Sequence, residues 1–167
     1  MLLKKHKKFL LLAHEYSKKF YGLTYPNPCV GCLIVDYSKN PKGQLLSFGY
    51  TSESGRPHAE ENALNKVKKI NNTSIMYLTL EPCHHKSTNK SCVNQIINSG
   101  IKKIYIAHYD PDARTKYKSI IKLRKNNIDV NYGITKNIFK LNNNFFITNK
   151  KYKRSFIRYK MAISKDY

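Results

Sequence analysis

The sequence is poor in acidic residues, with ten Asp and Glu against 31 Lys and Arg and a formal net charge of +21 at pH 7. This imbalance favours anionic partners, which include phosphorylated metabolites, nucleic acid and acidic lipid, and it does not choose among them. Lys, Asn and Ile are frequent throughout the chain. A general compositional drift toward these residues is therefore an equal explanation of the charge.

Cysteines and long apolar runs are also scarce. Four cysteines in 167 residues exclude a scaffold built on disulfides, and their clustering with His and Glu indicates a reducing compartment and a metal site. We expect a cytoplasmic protein. The basic and then apolar start resembles a signal peptide, but His14 and Glu15 end the apolar run and no small-residue cleavage site follows. No run is long enough to cross a membrane, so no membrane partner is expected.

The remaining pattern predicts one α/β domain without internal repeats or long linkers. Apolar residues at helical spacing predict a helix over about 4–21, and two short apolar runs, 29–35 and 45–50, predict a hairpin around the turn-forming residues 40–43. Helices and strands then alternate, as expected for an α/β sandwich. The predicted elements are a helix from His58 to Ile70, a strand at 75–80, a helix at 91–99, a strand at 103–108, a helix at 117–126 and a strand at 128–132.

Four residues form the chemically informative group: His58, Glu60, Cys83 and Cys92. One imidazole and two thiolates supply the three protein ligands of a catalytic zinc site, with a fourth position left for water. Zinc lowers the pKa of that water toward neutrality, and Glu60 is the carboxylate that carries a proton to the leaving amine. The His-x-Glu and Pro-Cys elements are the known signature of zinc-dependent base deaminases.

Each of these residues alone has an ordinary structural explanation, such as a packed histidine or a small buried thiol. Their order and the flanking Pro82 favour the metal site. Cys29 and Cys32 also form a C-x-x-C, which suggests a redox pair or a second zinc site. We favour a structural role, because residues three apart in a strand face opposite sides.

The sequence resembles the deaminase domain of the bifunctional deaminase-reductases of riboflavin biosynthesis. The resemblance covers roughly residues 10–167, and eight residues separate Cys83 from Cys92, where tRNA adenosine deaminases and most cytidine deaminases have two. It implies a three-layer α-β-α sandwich of the cytidine deaminase type with a mixed central sheet. The motifs that carry the resemblance are residues 26–32, Gly49-Tyr50, residues 55–60, residues 77–83 and Asp110-Pro111.

The resemblance also implies the reaction and the substrate contacts. The reaction is hydrolytic removal of the 2-amino group of 2,5-diamino-6-(5-phosphoribosylamino)pyrimidin-4-one, which gives the corresponding uracil derivative and ammonia. Asn27, His85 and Asp110 match the substrate-binding residues of the family. Such buried polar groups discriminate strongly, because a wrong substrate leaves them unpaired.

The chain departs from the family pattern at three places. Thr51 stands where the family has His, residues 88–91 replace a basic residue followed by Thr-Pro-Pro, and Asp112 stands where the family has Asn. These changes leave the zinc chemistry intact but affect substrate affinity. Lys86 or Lys90 is a candidate replacement for the missing cation.

The end of the chain resembles the start of the family's reductase domain. We assign residues 1–148 to the zinc-dependent deaminase domain and residues 149–167 to a basic tail. The NADPH-dependent reduction then belongs either to a separate reductase polypeptide or to a part of a longer chain. The exposed sheet and the tail are candidate surfaces for a homo-oligomer.

Two other functions compete with this interpretation. A nucleic-acid deaminase of the tRNA adenosine type would use the basic surface and the thirteen tyrosines for phosphate contacts and stacking. The eight-residue gap argues against it. The second is a non-catalytic remnant that binds RNA or a partner protein, and the intact His-x-Glu and both thiols argue against that.

Overall fold

A five-stranded mixed sheet forms the centre of the molecule. The computed structural model describes residues 2–84 and 91–164. The sheet order is β2-β1-β3-β4-β5, in which β1 is antiparallel to β2 and β3, and β4 is parallel to β3 and β5. The strands are β1 Gly31–Asp36, β2 Gln44–Tyr50, β3 Ile75–Leu80, β4 Lys103–His108 and β5 Asp129–Tyr132.

In the described part of the chain, five α-helices accompany the sheet. Short 3₁₀ turns follow α1 at Lys18–Phe20 and precede α2 at Glu53–Gly55. None of the helices in the described residues combines the length and apolar character needed to cross a bilayer. The helices are α1 Leu2–Ser17, α2 Ala59–Lys66, α3 Cys92–Asn98, α4 Lys118–Lys125 and α5 Lys136–Tyr152.

The apolar core lies in two layers, one on each face of the sheet. Successive side chains of a strand point to opposite faces, so β1 serves both layers. The first layer holds α1 against the sheet and includes Leu10, Ala13, Leu33, Val35, Tyr77 and Tyr105. The second holds α2, α3 and α4 and includes Ile34, Ala63, Leu78, Ile96, Ile106 and Leu123. This arrangement confirms the predicted three-layer sandwich and its mixed sheet.

Gly49 fixes how closely α2 approaches the sheet. A Cβ at this position of β2 would collide with the carbonyl oxygen of Ala59, the first residue of α2. Only glycine therefore lets the start of the helix lie directly against the strand. Because His58 and Glu60 flank Ala59, this contact also positions two of the residues that the sequence singles out.

The main difference from the sequence-based prediction is α5. No helix was expected there, yet Lys136–Tyr152 is helical with a local break at Asn143 (φ −127°, ψ 22°). The helix contacts α1 and β4 and buries Phe139 and Phe146. In addition, α2 is shorter than predicted because it ends at Lys66, and Cys29 precedes β1 rather than lying within it.

Candidate active site

The three predicted zinc ligands come together at the starts of two helices. His58 is the N-terminal cap of α2, Cys92 is the first residue of α3, and Cys83 lies in the loop after β3. One ligand atom from each residue lies within 4.8 Å of the other two. This donor set of one imidazole and two thiols suits zinc.

Hydrogen bonds connect the three residues and favour the thiolate form of Cys83. The backbone N–H of Cys92 donates to Cys83 Sγ at 3.3 Å, and His58 Nδ1 lies 3.2 Å from Cys92 Sγ. Hydrogen bonding from the Cys92 thiol, followed by that from His58, lowers the pKa of Cys83. A thiolate is the form of cysteine that binds metal, and a divalent cation bound here would displace the thiol protons.

Glu60 lies beside this group in the first turn of α2, with only 4% of its surface exposed. Burial raises the pKa of its carboxyl group to about 7, and the nearby His58 opposes that rise. A carboxyl group that titrates near neutrality can both accept and release a proton at physiological pH. The role of proton carrier for Glu60 stays a prediction.

A cavity of about 100 Å³ opens over these residues. Asn27 and Asp110, two of the predicted substrate contacts, both line it. The third, His85, lies outside the described residues, as do Thr88 and the two lysines proposed as replacement cations. The other residues that line the cavity include Val30, Thr51, Arg56, His58, Glu60, Leu80, Glu81, Cys83, Asp112, Arg114, Phe146 and Lys150.

Asn27 is held in place by Gly55. The Asn27 side-chain amide donates to the Gly55 carbonyl oxygen at 2.9 Å. Gly55 has φ +84°, and a Cβ there would lie 2.5 Å from Asn27 Nδ2. Glycine is therefore needed both for the backbone conformation and for the close approach.

Thr51, where the family has His, contributes a different contact. Its buried hydroxyl group accepts a hydrogen bond from the Val30 N–H at 3.1 Å and so ties the end of β2 to the residue before β1. In the part of the chain that the structure describes, Thr51 therefore has a structural role.

Glu81 lines the cavity, and its role could not be predicted from sequence spacing. Its buried carboxylate accepts hydrogen bonds from three backbone N–H groups, those of Asp110 (3.2 Å), Tyr117 (3.0 Å) and Ser119 (3.2 Å). These bonds hold the loop between β4 and α4, which carries Asp110. The only sequence signal is the position of Glu81 directly after β3 and before Pro82-Cys83.

A second group that the sequence did not predict lies at the same cavity. Asp112 accepts hydrogen bonds from Arg114, with an Nη2–Oδ2 distance of 2.7 Å, and pairs with Lys150 of α5 at 3.1 Å. The bond from Arg114 lowers the pKa of Asp112 below its ordinary value. Lys150 is far from the other site residues in sequence, so only the fold brings it there.

The C-x-x-C cysteines take no part in the site. The Cys29 thiol donates to the Ser17 carbonyl oxygen at the end of α1, whereas Cys32 belongs to the core layer under α2. Burial raises the pKa of Cys29 to about 11. Their positions on opposite sides of the sheet agree with the predicted structural role.

Comparison with known proteins agrees with this geometry. Residues 3–108 match the family described as the cytidine and deoxycytidylate deaminase zinc-binding region. The chain belongs to this deaminase family. Its relatives include the riboflavin biosynthesis protein RibD of Aquifex aeolicus, which is 34% identical over 160 residues (96% of this chain and 44% of the relative). The chain thus spans less than half the length of this longer deaminase-family protein.

A shorter member of the deaminase family is matched over most of its length. The diaminohydroxyphosphoribosylamino-pyrimidine deaminase of Buchnera aphidicola subsp. Schizaphis graminum is 37% identical over 139 residues, which is 83% of this chain and 91% of the relative. Among solved structures, the deaminase/5-amino-6-(5-phosphoribosylamino)uracil reductase of Thermotoga maritima superposes with a TM-score of 0.83 at 32% identity. It covers 93% of this chain, which spans 44% of that structure.

Proposed function

We propose that this chain is a zinc-dependent hydrolase of riboflavin biosynthesis. Its substrate is 2,5-diamino-6-(5-phosphoribosylamino)pyrimidin-4-one, and its products are 5-amino-6-(5-phosphoribosylamino)uracil and ammonia. The observation that carries the proposal is the meeting of His58, Cys83 and Cys92 within 4.8 Å beside the buried Glu60. The match to the Buchnera deaminase over 91% of its length supports the choice of substrate.

The roles of the residues follow from their positions. His58, Cys83 and Cys92 would hold zinc, which supplies a Lewis acid that activates water when bound. Glu60 accepts a proton from the attacking water and passes it to the ring nitrogen beside the reacting carbon. It then carries the remaining hydroxyl proton to the departing amino group, so that the C–N bond is replaced by a carbonyl and ammonia leaves. A pKa of about 7 suits both transfers.

Asn27, Asp110 and His85 would orient the pyrimidine ring. The anchoring of Asn27 on Gly55 and of the Asp110 backbone on Glu81 fixes two of these side chains before the substrate arrives. Preorganisation of this kind lowers the cost of binding in the reactive geometry.

We also assign residues 1–148 to the deaminase unit, residues 149–167 to a basic tail, and the protein to the cytoplasm. Helix α5 continues to Tyr152 across that boundary. A reductase would act on the product, either as a separate polypeptide or as part of a longer chain, and a homo-oligomer is a compatible assembly.

Ammonia release from the diaminopyrimidine ribosyl phosphate by the zinc-loaded protein tests the function. We expect Glu60→Gln to lower kcat by at least about 100-fold with zinc retained, because it removes the proton carrier and leaves the ligands in place. Glu61→Gln is the matched control, since it changes the next carboxyl group of the same helix, which does not line the cavity. Equal activity of Glu60→Gln and the wild type would refute the assignment. Turnover of tRNA or single-stranded DNA alone would reverse the choice of substrate.

A further inference from the structure

The mouth of the cavity carries a pair of cations that the reaction at its floor does not use. Arg114 is 61% exposed and Lys150 is 27% exposed, whereas Glu60 is 4% exposed. The two cations therefore lie toward solvent, and the carboxyl group of the proposed reaction lies deep. All three residues line one continuous space.

Asp112 organises the two cations from different parts of the chain. Its carboxylate bonds Arg114 through both oxygens, with Nε–Oδ1 at 3.0 Å and Nη2–Oδ2 at 2.7 Å, and it also pairs with Lys150 Nζ at 3.1 Å. Asp112 is itself only 11% exposed. Two cations that share one carboxylate keep a net positive charge, and their side chains are held in one place.

The other charged groups of the cavity are compatible with an anion at the mouth. Arg56 adds a third cation to the lining. Two further carboxyl groups, Glu81 and Asp110, lie deeper in the cavity. Three backbone N–H groups donate to Glu81. Burial raises the pKa of Asp110 to about 7, which favours its uncharged form. At the mouth the ionised Asp112 offsets one of its two cations, and Arg56 adds a further positive charge, so the rim keeps a net positive charge.

From this arrangement we propose that Arg114 and Lys150, positioned by Asp112, bind the phosphate group of the substrate. The proposal rests on the function proposed above, since it names the specificity site of the same cavity. Because Asp112 engages Nε and one N–H of Nη2, the guanidinium group of Arg114 would meet phosphate with two donors of its outer edge, Nη1 and the second N–H of Nη2. Lys150 adds a point charge. Phosphate binding at the mouth would strengthen the binding of substrate and transition state alike, so it would lower KM rather than raise kcat.

The first test compares two substrates, the diaminopyrimidine ribosyl phosphate and its dephosphorylated counterpart. We expect Arg114→Gln and Lys150→Gln each to raise KM for the phosphorylated substrate about tenfold, the equivalent of one charge-assisted hydrogen bond at a partly exposed site. The KM for the dephosphorylated substrate stays unchanged, as does kcat to within about twofold. Arg114→Lys should recover part of the loss.

Lys116→Gln and Lys151→Gln are the matched controls, because each removes one positive charge near the altered position. Lys116 lies 5.3 Å from the ring centroid of Tyr109, and Lys151 lies 4.9 Å from that of Tyr152, outside the cavity lining. An equal rise in KM in these controls would show that only overall charge matters and would overturn the proposal. So would loss of the phosphate preference in Lys86→Gln or Lys90→Gln with no effect at Arg114 and Lys150.

A binding measurement tests the phosphate site separately from the proposed deaminase activity. Calorimetric titration of the zinc-loaded protein with ribose 5-phosphate needs no turnover, and we expect Arg114→Gln and Lys150→Gln to weaken binding about tenfold. Equal wild-type KM values for the two substrates would overturn the phosphate site and leave the deaminase standing. If ribose 5-phosphate binding depends on Arg114 but the protein releases no ammonia, the phosphate site would stand and the deaminase assignment would be overturned.

Discussion

At the scale of single residues, Asp110 shows how a site residue is kept at a cost to stability. It is 7% exposed, and burial raises the pKa of its carboxyl group to about 7. Below about pH 4 both the folded and the unfolded chain bind this proton. As the pH rises further, the unfolded chain releases the proton while the folded chain retains it up to about pH 7. Asp110 therefore makes the fold less stable as the pH rises through this window.

The variant Asp110→Asn should remove this penalty. We expect its free energy of unfolding at pH 8 to exceed that of the wild type by roughly 2–4 kcal/mol, and the difference to shrink toward pH 4. Urea unfolding at several pH values measures both quantities. Asp129→Asn is the control, because Asp129 is exposed and paired with Lys103 at 2.8 Å, so its loss should bring no gain. If the difference in the free energy of unfolding between the wild type and Asp110→Asn does not change with pH, Asp110 does not have the raised pKa inferred here.

The grouping of the three proposed zinc ligands could be predicted from the sequence because their spacing carries the chemistry. His58 and Glu60 are separated by one residue in a single motif, and eight residues separate Cys83 from Cys92. Glu81 and Lys150 could not be predicted in this way. The backbone groups that bind Glu81 lie 29 to 38 residues further along the chain. The partner of Lys150 is Asp112, which is also distant in sequence. Only the folded chain brings such distant groups together.

At the scale of secondary-structure elements, Glu81 joins the end of β3 to the loop that precedes α4. Oε2 accepts from Asp110 and Tyr117, and Oε1 accepts from Ser119. Replacement by Gln would turn one of these oxygens into an NH₂ group that faces an N–H donor. A buried donor without an acceptor costs about 1–3 kcal/mol.

We therefore expect Glu81→Gln to lower the free energy of unfolding by about 1–3 kcal/mol and to raise KM, because the loop also carries Asp110 and Asp112. Urea unfolding and steady-state kinetics on the same samples measure the two effects. Glu61→Gln, at a site without this network, should change stability by less than about 0.5 kcal/mol. If Glu81→Gln matches that control in both measurements, the carboxylate does not hold the loop.

Strands were easier to predict than the last helix for a physical reason. The runs that form β1, β3 and β4 are short, apolar and bounded by turn-forming residues. The sequence of helix α5 is instead interrupted by three consecutive asparagines, and the helix is broken at Asn143. The Asn143 side-chain amide exchanges two hydrogen bonds with the Cys29 backbone, at 2.7 and 3.1 Å. That tertiary contact, which sequence spacing does not reveal, holds the break in place.

At the scale of the whole molecule, the site joins parts of the fold that are distant in sequence. Helix α2, the loop after β3 and helix α3 each contribute a proposed zinc ligand. The formal charge of +21 adds repulsion that a compact fold must overcome. Zinc binds the folded arrangement of ligands, so it stabilises that arrangement by mass action.

Removal of zinc should therefore lower the melting temperature. Zinc at 100 times its dissociation constant contributes about 2.7 kcal/mol, which corresponds to a shift of about 5–10 °C for a chain of this size. Thermal unfolding with and without a chelator measures the shift. Cys29→Ser should respond as the wild type does, because its thiol bonds the Ser17 carbonyl oxygen on the other side of the sheet. Cys83→Ser should show little response, and a full response in that variant would place the metal elsewhere.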